Sequence, residues 1–126
     1  MLDHVSIAVR DLAASADTYQ DILAPLGLRR LVERPASAGF GKAYPEFWLN
    51  ARPTMQPVPE GTGSHVCLRA PDEAAVCDFH ARALARGCRD AGKPGPRQAA
   101  MTGYYAAFIL DLDGNKIEAA NFPRKA

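Results

Sequence analysis

Apolar residues alternate with small or polar ones at the start of the chain. Val5, Ile7 and Val9 fall on one face and His4, Ser6 and Ala8 on the other, the period-two signature of a half-buried strand. The pattern returns later, where Val66 and Leu68 oppose His65, Cys67 and Arg69. After each strand the apolar spacing lengthens to the period of a helix. Leu12, Ala16, Tyr19, Ile22, Leu23 and Leu26 make one stripe, and Val76, Phe79, Ala83 and Leu84 a second. Asp11 and Asp72 stand where an N-cap accepts the unpaired N–H groups of a first turn. Gly27 and Gly87 stand where a helix ends in a left-handed residue. Short β-like segments follow in each half. In the first they run from Leu28 to Glu33, around Gly39 to Tyr44, and from Glu46 to Asn50; in the second, around Cys88, from Tyr104 to Asp111, and from Lys116 to Asn121. The Asp113-Gly114 pair between the last two carries a hairpin signal.

The halves are copies of one another. Displaced by 61 positions, His4, Val5, Asp11, Ala13, Ala14, Asp17, Leu23 and Ala24 meet the identical residues His65, Val66, Asp72, Ala74, Ala75, Asp78, Leu84 and Ala85 without a gap. Each copy reads βαβββ, the first over residues 1–52 and the second over 64–126, in one domain spanning 1–126. Residues 53–63, rich in proline and glycine, read as a linker, and 92–97 as a second loop inside the later module. A module of about 60 residues is too small for a self-sufficient core, so the two must join within one chain or by exchange between chains. The expected fold is α+β: a cup-shaped, eight-stranded mixed sheet with the helices outside.

Composition narrows the partners. Fifteen basic residues against fourteen acidic ones leave a formal charge of +1, which gives no broad attraction for nucleic acid or a membrane surface. No apolar run approaches the length of a membrane span, and the first residues do not form a signal peptide. Three cysteines without a C-x-x-C spacing argue against a disulfide framework. The expectation is a cytoplasmic protein with reduced thiols.

The two first-strand histidines, at equivalent repeat positions, face away from the helices and can converge on one point. Glu118 lies between Ile117 and Ala119 on the last strand. A lone carboxylate in an apolar strand is costly unless it meets a cation. His4, His65 and Glu118 therefore form a candidate two-histidine, one-carboxylate site for a divalent ion. The third histidine, His80, reads as a core residue on the second helix. By parity with the ligands, Ser6 and Cys67 face the same cup, and Trp48, Tyr104 or Tyr105, Phe108, Phe40 and Tyr44 are candidate walls. Arg69 is a candidate contact for an anion.

The segment from Leu2 to Asp11, the strand Ser64-His-Val-Cys-Leu68, and the close Asp111-Leu-Asp-Gly-Asn-Lys-Ile-Glu118 resemble the vicinal oxygen chelate superfamily of glyoxalases, bleomycin-resistance proteins and extradiol dioxygenases. The resemblance implies two βαβββ modules around a metal, commonly assembled as a homodimer. It implies that His4, His65 and Glu118 are ligands of one divalent ion per site (Zn, Mn, Ni or Fe) and that Glu118 doubles as a catalytic group; the small-molecule substrate is expected against the cup residues that parity and wall character single out, Ser6, Trp48, Cys67, Tyr104, Tyr105 and Phe108. The family's remaining ligand position aligns with Trp48, whose indole offers only an N–H donor. The implied activity is that of a metal-dependent lyase, isomerase or thiol transferase acting on a small oxygenated metabolite. The alternatives are a metal-free drug-binding protein and a ring-cleaving dioxygenase.

Overall fold

A computed structural model describes residues 1–99 and 101–123; the last residues of the expected second module, 124–126, lie outside it. The element order is β1 (Val5–Val9), α1 (Leu12–Leu23), a short 3-10 turn (Ala24–Leu26), β2 (Arg29–Arg34), β3 (Ser37–Gly41), β4 (Pro45–Ala51), β5 (Val66–Arg69), α2 (Glu73–Ala85), β6 (Arg89–Gln98), β7 (Gly103–Leu110) and β8 (Lys116–Asn121). Each half is thus βαβββ. The eight strands form two four-stranded sheets, ordered β1-β4-β3-β2 and β5-β8-β7-β6. In each sheet the first strand runs parallel to the last, and the remaining pairs are antiparallel.

The caps act as the sequence predicts. The Asp11 carboxylate accepts from the Ala14 N–H, and Asp72 from the Ala75 N–H. One core joins both halves: Tyr19, Ile22 and Leu23 of α1 and Val76 and Phe79 of α2 pack with Phe40, Phe47 and Leu49 of the first sheet and with Ile109, Ile117 and Ala119 of the second. Burying such side chains contributes roughly 1.5–3 kcal/mol each, which favours keeping the helices on one face of both sheets. The opposite face of the second sheet carries Glu118, with His65 beside it. Among the described residues, no helix is long and apolar enough to cross a membrane.

Three expectations change. Residues 92–97, read as a loop, lie within β6, which runs through Pro94 and Pro96 with two register shifts. An edge strand tolerates prolines because one of its sides has no ladder to feed. Leu84, assigned to the apolar stripe, is exposed, and Phe40, assigned to the cup wall, is fully buried in the core beside Tyr19.

The turn between β7 and β8 locks the halves together. Asp111 accepts at one oxygen from the backbone N–H groups of Asp113 and Asn115, and at the other from the Tyr19 hydroxyl at 2.6 Å and the Asn115 side chain. Asp113 accepts from the backbone and side chain of Arg10, and Asn115 donates to the Ala8 carbonyl. The linker docks on the same turn through the Val58 N–H and the Asp113 carbonyl. Gly114 sits there at a φ of 93°, and a Cβ on it would stand 2.5 Å from the Val58 oxygen. Both the backbone conformation and the linker therefore demand glycine at this position.

Candidate functional site

The parallel pairing within each sheet fixes what faces what. Cys67 of β5 lies beside Glu118 of β8, and Phe108 of β7 lies on the other side of Glu118. Ile117 and Ala119 point into the core, so Glu118 points to the helix-free face. That carboxylate is only 3% exposed. Its Oε1 is 2.9 Å from Nε2 of His65, while its Oε2 is buried without any hydrogen-bond partner. A buried, unsatisfied, charged oxygen is an expensive feature to keep in a fold. His65 itself is exposed, and its ring lies 5.8 Å from that of Phe108.

The neighbours feel this charge. Cys67 is open to solvent at its residue surface, yet the surrounding protein and the adjacent Glu118 push its thiol up to about 12, so it is a thiol at neutral pH and a poor nucleophile. The Tyr104 phenol is raised as well, by desolvation first and Glu118 second. Tyr104 stacks on Phe122 at 4.7 Å.

The first half shows the same register with different chemistry. Ser6 pairs with Trp48 in the way that Cys67 pairs with Glu118. Trp48 thus occupies the position equivalent to the carboxylate. Its ring covers Gly39, where a Cβ would meet it at 3.0 Å, and the Arg34 guanidinium lies over it at 5.2 Å. His4 lies just before β1, exposed, with the neighbouring Asp3 carboxylate at 2.8 Å.

Of the residues singled out from the sequence, one chain thus brings together His65, Glu118, Cys67, Phe108 and Tyr104. His4 is not in that group, and among the described residues no three His, Cys, Asp or Glu side chains are grouped to hold a metal ion. Tyr105 points to the other face, against α2, with its hydroxyl 3.5 Å from the Cys77 sulfur. Tyr44 is exposed near Asp3. His80 is buried and meets Asp90 at 2.9 Å, as a structural histidine would. A cleft of about 640 Å³ runs beside the pair rather than over it. Ser6, His65, Asn115, Lys116 and the linker line it, and Glu118 does not.

The sequence reading missed Phe122, Arg97 and Lys116 on this face. Lys116 and Phe122 share the parity of Glu118 along β8 and its continuation, which was the available signal. Arg97 was hidden by the prolines around it.

Comparison with known proteins agrees with this architecture. The family model described as Glyoxalase/Bleomycin resistance protein/Dioxygenase superfamily matches residues 1–119. A glyoxalase/bleomycin resistance protein of Albidiferax ferrireducens is similar over 97% of this chain and 99% of its own, with 30% identity and a TM-score of 0.86. The fosfomycin resistance protein FosX of Listeria monocytogenes shares the fold at 17% identity and a TM-score of 0.69, over 98% of this chain and 93% of its own. A lactoylglutathione lyase of Agrobacterium tumefaciens does so at 19% identity and 0.64, over 96% and 92%. No curated protein matches the sequence.

Proposed function

Because the chain belongs to the glyoxalase/bleomycin resistance protein/dioxygenase superfamily, we propose that it is a divalent-metal-dependent enzyme of the glyoxalase type, a lyase, isomerase or thiol transferase acting on a small oxygenated metabolite. In this reading His65 and Glu118 of one chain and His4 of a second copy hold the ion. The single observation that carries it is the buried Glu118 carboxylate, with one oxygen on His65 and the other on nothing. An imidazole and a carboxylate oxygen are the donor types that zinc, manganese, nickel and iron accept. A cation would give the orphaned oxygen the partner that the protein does not.

An ion held there would supply Lewis-acid chemistry, stabilising negative charge that develops on the substrate. The chain's own residues do the rest. Before an ion binds, His65 Nε2 holds the carboxylate in place through Oε1. Among the described residues Glu118 is the one carboxylate at the site; with Oε2 on the ion, its Oε1, released from His65, would take up a substrate proton. Phe108 and Tyr104 wall the face and exclude water. His4 is exposed and outside the His65–Glu118 group in its own chain, and superfamily members are often dimeric; both facts favour its service to a second copy's site.

Protein purified without chelator should carry one divalent ion per site by elemental analysis, and its melting temperature should rise with Mn²⁺, Ni²⁺, Zn²⁺ or Fe²⁺. No ion above background, together with an unchanged melting temperature, would overturn the proposal. A second reading, a metal-free binding protein, draws support from Trp48 at the position equivalent to Glu118 and from the Tyr104–Phe122 stack. Under it, His4→Ala and His65→Ala would leave small-molecule binding intact.

A further inference from the structure

We infer that Asp3, backed by the Tyr44 hydroxyl, is a positioning residue that presents His4 to a divalent ion through its Nε2. This inference rests on the reading of His4 as a metal ligand, and it names what prepares that imidazole for the task.

The pairing of β1 with β4 brings the three residues together. Val5 lies beside Phe47 in the parallel ladder, so the residues just before β1 lie beside those that open β4. The β3–β4 turn holds Tyr44 at that end. Gly41 pairs with Pro45 across a register shift, and a Cβ on Gly41 would overlap the Tyr44 carbonyl. So close an approach of backbone to backbone needs glycine. The turn sets the Tyr44 hydroxyl 3.4 Å from Asp3 Oδ2, while Asp3 Oδ1 lies 2.8 Å from His4 Nδ1. Asp3 thus uses one oxygen on each neighbour.

A carboxylate only accepts. The proton of the Asp3–His4 contact therefore sits on Nδ1, and in the neutral ring Nε2 carries a bare lone pair. That nitrogen meets no hydrogen-bond partner among the described residues. A metal-ligating imidazole almost always donates its other N–H to a carboxylate, a carbonyl or water, which fixes the tautomer and the ring orientation and raises the basicity of the ligating nitrogen. The contact adds little to the fold. The Asp3 side chain is 72% exposed and that of His4 53%, and exposed pairs of this kind contribute little stability. What Asp3 controls is which ring nitrogen stays free. The second module lacks the device: Ser64 stands at the position equivalent to Asp3, and His65 spends its Nε2 on Glu118. His4 is the imidazole already prepared to receive an ion, whereas His65 must first release Glu118.

The test uses the whole protein, with Zn²⁺ alone as the probe, and the variants Asp3→Ala, Asp3→Asn and Tyr44→Phe. In calorimetric titration Asp3→Ala should bind the ion at least about tenfold more weakly than wild type. Asp3→Asn, which keeps an acceptor without the charge, should lose less. Tyr44→Phe should also lose less, and should lose nothing further in the Asp3→Ala background, because it acts through Asp3. Nitrogen NMR of the metal-free protein, at a pH above the ordinary imidazole range, gives the readout that a merely structural role would not move. The His4 ring should be Nδ1–H in wild type and shift toward Nε2–H in Asp3→Ala. An unmoved tautomer, or an Asp3→Ala affinity within about twofold of wild type, overturns the inference and leaves the metal reading intact. A wild type that binds no ion while its His4 tautomer still follows Asp3 brings down the metal reading alone, and the hold of Asp3 on His4 stands.

Discussion

Replacing Glu118 by glutamine should reverse the order of stabilities when metal is added. The carboxylate is 3% exposed, with one oxygen unsatisfied and the other on His65. An unpaired buried acceptor costs roughly 1–3 kcal/mol and more when charged, against about 1.5–3 kcal/mol returned by a charge-assisted hydrogen bond. Glutamine keeps the shape and a contact to His65 but removes the charge. Without metal the variant should therefore be more stable by about 1–2 kcal/mol, a rise in Tm of roughly 4–8 °C for a chain of this size. With metal at a hundred times its Kd, the wild type should gain about 2.7 kcal/mol and the variant almost nothing. Melts with chelator and with Mn²⁺, at equal protein concentration, measure both differences. A metal-free variant less stable than wild type by more than about 1 kcal/mol would refute the reasoning, because Glu118 would then serve the fold. An equal metal-induced gain in both proteins would refute it from the other side.

Tyr19→Phe should cost about 2 kcal/mol at neutral pH, because its hydroxyl donates to the buried Asp111 at 2.6 Å. The cost should shrink in acid. Burial raises the Asp111 carboxyl and the Tyr19 hydroxyl opposes that rise, so the folded pKa lies above the unfolded one. The stability linked to the protonated form is then present at low pH and lost as pH rises through the folded value. Removing the hydroxyl deepens the loss on the neutral side, which urea denaturation over a pH series would show; a pH-independent difference would contradict it. Gly114→Ala should lose about 2–4 kcal/mol, from the positive φ and the 2.5 Å approach of the Val58 oxygen. A loss of unfolding free energy in chemical denaturation of less than a quarter of that would contradict the packing described here.

The duplicated grammar of strand, capped helix and three strands was legible because period-two and helical spacing are local and were repeated intact. Glu118 was legible for the same reason: one charged residue between two core residues has a single face to point to. Other features depend on information that no local pattern holds. Tyr104 and Tyr105 are adjacent, so alternation alone could not say which faces the site, and register against β6 and β8 decided for Tyr104. Pro94 and Pro96 signal a loop, and only the edge position of β6 makes them acceptable in a strand. Leu84 fitted the helical stripe but lies just past the contact with the sheets. The separation of His4 from His65 could not be read at all, because a strand pattern is identical whether a module completes its own chain's cup or a neighbour's.

Co-expression of His4→Ala and Glu118→Gln chains tests the central claim most directly. If His4 serves the site of a second copy, the mixed dimer contains one site with both defects and one intact site. It should then bind one metal ion per dimer, although neither variant alone binds any. Mixed dimers as empty as the two parents would contradict a site shared between chains.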